Sequence, residues 1–355
     1  MFKRPTIADI AREAGVSKGA VSYALNGQPG VSAATRERIL AIADQMGFQP
    51  NLAARALSGA SASAIGLVLC RPARVLGVEP FFMELISGIE AELSAQSYGM
   101  TLQVVSDHAT EIAVYERWWA ERRVDGVLLV DVHLEDLRLD AVRRLQLPAV
   151  AIAGPGDFGS IPSVWSDDAA AITETVEYLF ALGHRTIARV GGLPNLLHTE
   201  IRTSAFAHAC EQLGVQHAVT VPSDYTGEEG GRATRRLLSA RKRPTAIIYD
   251  NDIMAVAGLA VAQQMGVAVP QGLSIVAWDD SLLSSVVHPP LTALSRNVAA
   301  YGTNAARRLL TVIADGSAAS FQDATAHLVP RGSTSRAPQT PQAHVATDSV
   351  PAAAH

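Results

Sequence analysis

Aromatic residues are scarce in this 355-residue chain, at 5% of positions, so its cores must be built mainly from Ala, Val, Leu and Ile. Cysteine is scarcer still. Cys70 and Cys210 stand far apart, which excludes a disulfide framework and a cysteine-rich metal centre. No apolar run approaches the ~20 residues that span a bilayer. The N-terminal stretch MFKRPTIADIAREAG shows no apolar segment ahead of a cleavage signal. These absences predict a cytoplasmic protein with no membrane partner. HExxH, CxxC and GxSxG patterns are missing as well, so no metal site, no cofactor and no catalytic residue is expected, and the chain reads as a non-enzyme.

What the chain does contain is ample core material: 48% hydrophobic residues against 18% charged ones exclude general disorder and suit two or three domains. The net charge of −5 is unevenly spread. Residues 1–60 hold seven basic and four acidic side chains, a surplus of +3 that leaves −8 on the remainder. A basic head on an acidic body suggests one end that meets a polyanion, although on charge alone a solvated surface fits equally well.

Thr6-Ile7-Ala8-Asp9 fits a capping box, Ile7, Ile10, Ala11 and Ala14 follow at helical spacing, and Gly15 stops the helix. Ser17 is placed to cap a second helix that runs to about Leu25 after a very short turn. A third runs from about Ala33 to Met46. Together they form a helix-turn-helix pattern. From Ala62 to Val329 strands and helices alternate, with strand-like runs at Ala64–Cys70, Gly126–Val130, Ala149–Ala153, Thr186–Gly191, Thr245–Tyr249 and Leu273–Trp278. Such alternation predicts parallel sheets covered by helices on both faces. The body is too long for one doubly wound unit and divides near Val164–Asp167.

The stretch TIADIAREAGVSKGAVSYALNGQPGVSAATRERILAIADQMGFQPNLAARALSG resembles the head of the lactose-repressor (LacI/GalR) family. The likeness continues through IGLVL, PFF, LGHR, IYDNDIMAVAG, SIVAWDDS and PPLTAL, in order, and covers essentially residues 5–333. The resemblance implies an all-α helix-turn-helix head with a hinge helix, and an α/β body of two doubly wound parallel-sheet subdomains like those of periplasmic binding proteins. The expected domains are 1–49 for DNA binding, 50–61 for hinge and linker, and 62–332 for effector binding and dimerisation. Within the body one subdomain takes 62–163 with 296–321 and the other 166–292 with 323–332, joined by three crossovers. Residues 333–355, without periodicity, are expected to be a disordered tail.

In that family the recognition helix reads base edges in the major groove. By similarity Lys18, Gly19 and Tyr23 stand at the base-reading positions; Lys18 suits guanine, while Gly19 departs from the pattern by offering no side chain. Ser22, Asn26, Ser32 and Thr35 match phosphate-binding positions, with capping the competing role for Ser17 and Ser32. Thr6, Asn51 and Arg55 complete the implied DNA-binding set, and Leu57 matches the apolar wedge of the hinge helix, against the alternative of a packed linker residue.

For the body, the carboxyl ends of parallel strands are where ligands of such sheets bind. Phe81, Phe82, Trp165, Asn251 and Asp279 fall at or near such ends, and Arg202 early in a helix that follows one. By similarity Arg202, Asn251 and Asp279 match polar effector contacts, and Trp165 and Tyr225 aromatic ones; capping by Asn251 and core packing of Trp165 stay open. Ala153 stands where some sugar-responsive members carry an acidic contact. The run Gly154–Gly159 reads GxGxxG but leads into Ser160-Ile161-Pro162 rather than a helix, so it is not taken as a dinucleotide site. Residues Leu328–Ser333 read LVPRGS, identical to a widely used thrombin cleavage sequence, and are expected to be open to cutting. The sequence as a whole predicts a homodimeric repressor of a pseudo-palindromic double-stranded DNA operator. Its DNA affinity is set by a small effector, a sugar or related metabolite, bound between the body subdomains. A body that answers to a protein corepressor, or to nothing, is the strongest alternative.

Overall fold

A computed structural model describes residues 5–48, 61–71 and 73–338. The chain falls into two compact units, 1–62 and 63–355.

The first unit has helices at Ile7–Ala14, Lys18–Leu25 and Ala33–Gln45. The capping box forms as the spacing predicts: the Asp9 amide donates to Thr6 Oγ1 at 3.3 Å while the Asp9 carboxylate accepts from the Thr6 amide at 3.0 Å. Gly15, at φ 64°, ends the first helix in the left-handed conformation that glycine adopts without strain. Ile10, Ala11, Ala14, Val21, Ala24, Ile39 and Ala43 close the core, and with no aromatic side chain among them the three short helices approach closely. The hinge segment Pro50–Ser58, with Asn51, Arg55 and Leu57, lies outside the described residues.

The second unit contains two six-stranded sheets. The first orders its strands β11 (Phe321–Gln322), β5 (Ser163–Trp165), β4 (Ala149–Ala153), β3 (Gly126–Leu129), β1 (Ala64–Leu69) and β2 (Gly99–Val104). The second runs β12 (His327–Val329), β10 (Thr292–Ser295), β9 (Ser274–Trp278), β8 (Ala246–Tyr249), β6 (Thr186–Val190) and β7 (His217–Val221). All pairings are parallel except β10 with β12. Helices cover both faces of each sheet, with a separate apolar cluster on each face. The central strands are continuous apolar runs, as burial on two sides demands. The edge strands β2 and β7 are half exposed and were not marked by hydrophobicity in the sequence.

Helices Pro80–Ala95 and Val298–Asp315 cross at two glycines. A Cβ on Gly88 would lie 1.8 Å from the Ala299 carbonyl oxygen, and one on Gly302 would lie 2.2 Å from that of Leu85. Only glycine permits this approach, which brings the last long helix of the chain back onto the first sheet. Among the described residues the chain passes between the sheets three times: after β5, after β10, and between β11 and β12.

Residues 333–337 are packed against the body, contrary to the expected start of a disordered tail at residue 333. Ser333 is fully buried; its Oγ donates to the Ile275 carbonyl at 2.6 Å and accepts from the Thr292 amide at 2.8 Å. The Ala337 amide donates to Leu182 O at 2.9 Å. The Ser333 hydroxyl thus satisfies the backbone where β9 and β10 begin, and that of Thr334 bonds the Thr292 and Tyr178 hydroxyls, roles that show no hydrophobic periodicity. No helix among the described residues is long and apolar enough to cross a membrane.

The same packing overturns the expected exposure of LVPRGS. Its first two residues lie in β12, and Arg331 makes a two-point ion pair with Asp280 at 2.7 and 2.8 Å. Because a protease must draw several residues into an extended conformation, cleavage here requires local unfolding. Thrombin is therefore expected to leave the Arg331–Gly332 bond intact in the folded chain and to cut once urea unfolds the body. Cutting of the folded chain as fast as of a free peptide would show that this segment is not held.

Candidate functional site

Two sites emerge, one in each unit. In the head, Ser17 caps the second helix by accepting from the Ala20 amide at 3.1 Å, which fixes the start of that helix. Lys18 and Gly19 follow directly and are exposed, and Tyr23, one turn on, is 51% exposed. A Cβ on Gly19 would meet only Ser17 Oγ, at 3.7 Å, so the backbone there is open to close approach. Ser22 is half buried and accepts from Asn26 Nδ2 at 3.4 Å. Ser32 caps the third helix at the Thr35 amide and shares a 2.8 Å hydrogen bond with the Thr35 hydroxyl. Thr6, Ser17 and Ser32 thus each perform the capping role, and their hydroxyls stand at helix N-termini, where partial positive charge favours an anion.

In the body, the carboxyl ends of the strands of both sheets face a cavity of about 70 Å³. This is far below the ~300 Å³ at which ligand pockets begin, so the cleft is closed down on itself. What lines it is paired charge. Arg71, just beyond β1, forms a two-point bond with Asp131, beyond β3, at 2.7 and 2.9 Å. Burial alone would raise the Asp131 carboxyl, but Arg71 beside it holds it down to about 2. The Arg71 guanidinium also lies 4.7 Å from the ring centre of Tyr225, which belongs to the other subdomain. Arg202 bonds Asp168 at 2.7 Å and its guanidinium carbon lies over Trp278, 3.6 Å from the ring centre. Arg189, fully buried in β6, forks onto Asp250 beyond β8. Arg296 reaches Asp279 beyond β9 at 3.4 Å.

Tyr225 fits because residue 192 is glycine: a Cβ there would lie 1.9 Å from the ring. Its hydroxyl bonds His198 Nε2 at 2.7 Å and Thr199 Oγ1 at 3.0 Å. Burial, and then Arg202, push His198 down to about 4, so it stands neutral as the partner of that hydroxyl. Glu79 is the opposite case. Burial pushes its carboxyl up to about 7 despite Arg71, and Oε2 has no hydrogen-bond partner among the described residues, nor has Arg296 Nε. Burial likewise raises the Asp279 carboxyl against the pull of Arg296 and Arg202.

Of the residues proposed from sequence, Phe81, Phe82, Arg202, Tyr225 and Asp279 come together on the cavity wall. Asn251 and Trp165 do not line it. Asn251 is buried behind Tyr225, capping the Met254 amide at 2.9 Å and donating to the Tyr225 carbonyl at 3.0 Å. Trp165 ends β5 at the first crossover, its carbonyl accepting from the Asp323 amide at 2.7 Å. Sequence reasoning missed Arg71, Glu79, Asp131, Asp168, His198, Asp250, Arg296 and Tyr301, which also line the cavity. Arg71, Asp131 and Asp250 lie within two residues of a strand end, so the rule that found Asp279 was able to find them.

Comparison with known proteins places these features. Residues 6–51 match the model for bacterial regulatory proteins of the lacI family, and residues 176–334 match that for periplasmic binding protein-like domains. The chain is 32% identical to the HTH-type transcriptional regulator MalR of Streptomyces coelicolor over 351 residues, covering 94% of this chain and 97% of MalR. The lac repressor dimer, solved bound to operator and the anti-inducer ONPF, superposes with a TM-score of 0.81 at 25% identity, covering 94% of this chain and all of that one. The complex of the transcriptional regulator CelR with cellobiose superposes with a TM-score of 0.71 at 26% identity, covering 93% of this chain and all of CelR.

A carboxyl whose folded pKa lies above its unfolded value holds a proton in the folded chain, so its contribution to stability is lost as pH rises between the two values. For Glu79 that window runs from about 4.5, the ordinary glutamate range, up to about 7. Between about pH 5 and 7 the unfolding free energy of wild type is expected to fall relative to Glu79→Gln, by about 2 kcal/mol. Urea titrations of both proteins across this range measure the gap. A gap independent of pH would show that Glu79 ionises as freely folded as unfolded.

Proposed function

This chain belongs to the lacI family of bacterial regulatory proteins, and from that premise we propose that it is a dimeric repressor whose operator affinity is set by a small polyhydroxylated ligand in the body cleft. The chain is a DNA-binding transcription regulator. The finer assignment rests on the cleft: guanidinium and carboxylate groups from both subdomains converge with Phe81, Phe82 and Tyr225 around one cavity. Carboxylates and guanidinium groups bond adjacent hydroxyls, while aromatic faces cover the C–H side of a sugar ring. CelR, solved with cellobiose, has the same fold and supports a sugar. Ala153 lines the cavity where some family members carry an acid, so Glu79, with a free oxygen, is assigned the acceptor role instead. No catalytic role is assigned to the cleft; its charges neutralise one another rather than poising a nucleophile.

The three crossings restrict motion to closure of one subdomain on the other. A ligand shifts operator affinity only as far as it prefers one arrangement, typically by about 1–3 kcal/mol. In the head, Lys18, Gly19 and Tyr23 are assigned to base edges, and Ser22, Asn26 and Thr35 to phosphates.

Three outcomes are expected. A thermal-shift panel of mono- and disaccharides should yield at least one that stabilises the wild-type chain and alters its operator affinity. Asp279→Ala should abolish that alteration while leaving operator affinity without sugar nearly unchanged. Retention of the wild-type effect would place Asp279 outside the ligand site. Lys18→Ala should lose about 1–3 kcal/mol on a palindromic operator selected from random DNA, and much less on unselected DNA. Equal losses on both would restrict Lys18 to phosphate contact.

A further inference from the structure

Behind the cleft wall lies a second group of side chains that the ligand site does not use. Cys70 immediately follows β1, and His108 and Glu111 share the first turn of helix His108–Ala120. The fold brings the Cys70 sulfur, a His108 ring nitrogen and a Glu111 carboxylate oxygen within 4.8 Å of one another. From these donors we infer a divalent transition-metal site, of the class that Zn²⁺ fills, formed by Cys70, His108 and Glu111.

The donor set is thiolate, imidazole and carboxylate, which together select borderline ions such as Zn²⁺ over Mg²⁺ or Ca²⁺. With bonds of about 2.0–2.3 Å, tetrahedral donors stand roughly 3.5 Å apart, so shifts of about an ångström complete the geometry. Glu111 is held ready for this. It is fully buried, and Oε1 is fixed by Arg138 Nη1 at 2.8 Å and by the Tyr115 hydroxyl, which leaves Oε2 directed at His108 Nδ1 at 2.9 Å. The local charge favours a cation as well, since the single buried guanidinium of Arg138 faces two carboxylates, Glu111 and Asp136. A fourth position falls to water or to His133, whose ring meets that of His108 edge-on at 4.1 Å. On binding, the sulfur–hydrogen bond of Cys70 breaks, a metal–sulfur bond forms, and the proton leaves to solvent.

The location gives the ion a means to act. Cys70 precedes Arg71, the residue that bonds Asp131 and covers Tyr225. His133 contacts Asn195 at 3.3 Å and pairs with Leu196 in the backbone bridge between the subdomains. The sequence hid this site because Cys70 comes from a different element than His108 and Glu111, and a lone His-x-x-Glu pair is no metal motif.

The test uses the untagged full chain with Cys210→Ser, so that Cys70 is the only thiol. Co²⁺ added to this protein should bind with a single equivalent and produce the near-ultraviolet charge-transfer band of a cobalt thiolate, and Zn²⁺ should abolish that band. Cys70→Ser in the same background should lose the band, and His108→Gln should weaken Zn²⁺ affinity at least tenfold while near-ultraviolet circular dichroism stays that of the folded chain. No band in the Cys210→Ser protein, a band that survives Cys70→Ser, or unchanged Zn²⁺ affinity in His108→Gln would each overturn the site.

Discussion

Charge buried between two sheets is the constraint that organises this molecule. Parallel strands converge their carboxyl ends on one cleft, and the residues just past those ends are Arg71, Asp131, Asp250 and Asp279. An unpaired ion there would cost several kcal/mol, so among the described residues each guanidinium lining or backing the cleft meets a carboxylate: Arg71 with Asp131, Arg202 with Asp168, Arg189 with Asp250, Arg296 with Asp279. Burial pushes the Glu79 carboxyl up to about 7, so below that pH its protonated form is favoured. The pairing fixes side-chain direction more than it adds stability, and it leaves Glu79 Oε2 and Arg296 Nε as the groups a ligand's hydroxyls would satisfy.

The same constraint makes closure a matter of balance. Most of the ion pairs lie within one subdomain, so opening the cleft does not break them. What spans it is lighter: the single Arg296–Asp279 pair at 3.4 Å, the cation–π contact of Arg71 with Tyr225, and the backbone bridge in which the Leu134 amide donates to Asn195 O at 3.1 Å and Leu197 to Val132 O at 2.9 Å. Contacts of this size are worth about 1 kcal/mol each, which is the scale on which a small ligand can shift a two-state equilibrium. A rigid interface would have made the cleft useless as a sensor.

Much of the fold was legible in the sequence, and for physical reasons. Thr6 with Asp9 and Ser17 ahead of a periodic run report helix starts locally, and central strands such as Ile247–Tyr249 and Ile275–Trp278 are apolar throughout because both faces are buried. The edge strands β2 and β7 carried no such mark, since one side of each meets water. Strands β5, β11 and β12 are too short for any periodicity. The cleft was half legible: Asp279 and Phe82 follow strand ends, whereas Asp168, His198 and Arg296 reach the cavity from crossovers and helix starts whose placement depends on the tertiary fold. Asn251 illustrates the converse, a strand-end residue whose side chain is spent on capping. Ser333 was hidden because hydrogen-bonding hydroxyls in a packed terminal segment look, in sequence, like a disordered tail.

Coupling between closure and DNA affinity can be measured without knowing the ligand. His133 and Leu196 oppose each other in the bridge as a non-hydrogen-bonded antiparallel pair, whose Cα atoms stand about 4.5 Å apart, within disulfide reach. In a chain with Cys70→Ala and Cys210→Ala, His133→Cys with Leu196→Cys should lock the cleft closed under oxidation and release it on reduction. If closure governs the head, operator Kd will differ at least about fivefold between the oxidised and reduced protein. Equal Kd values, with the disulfide confirmed by mass, would contradict control of DNA binding by the cleft.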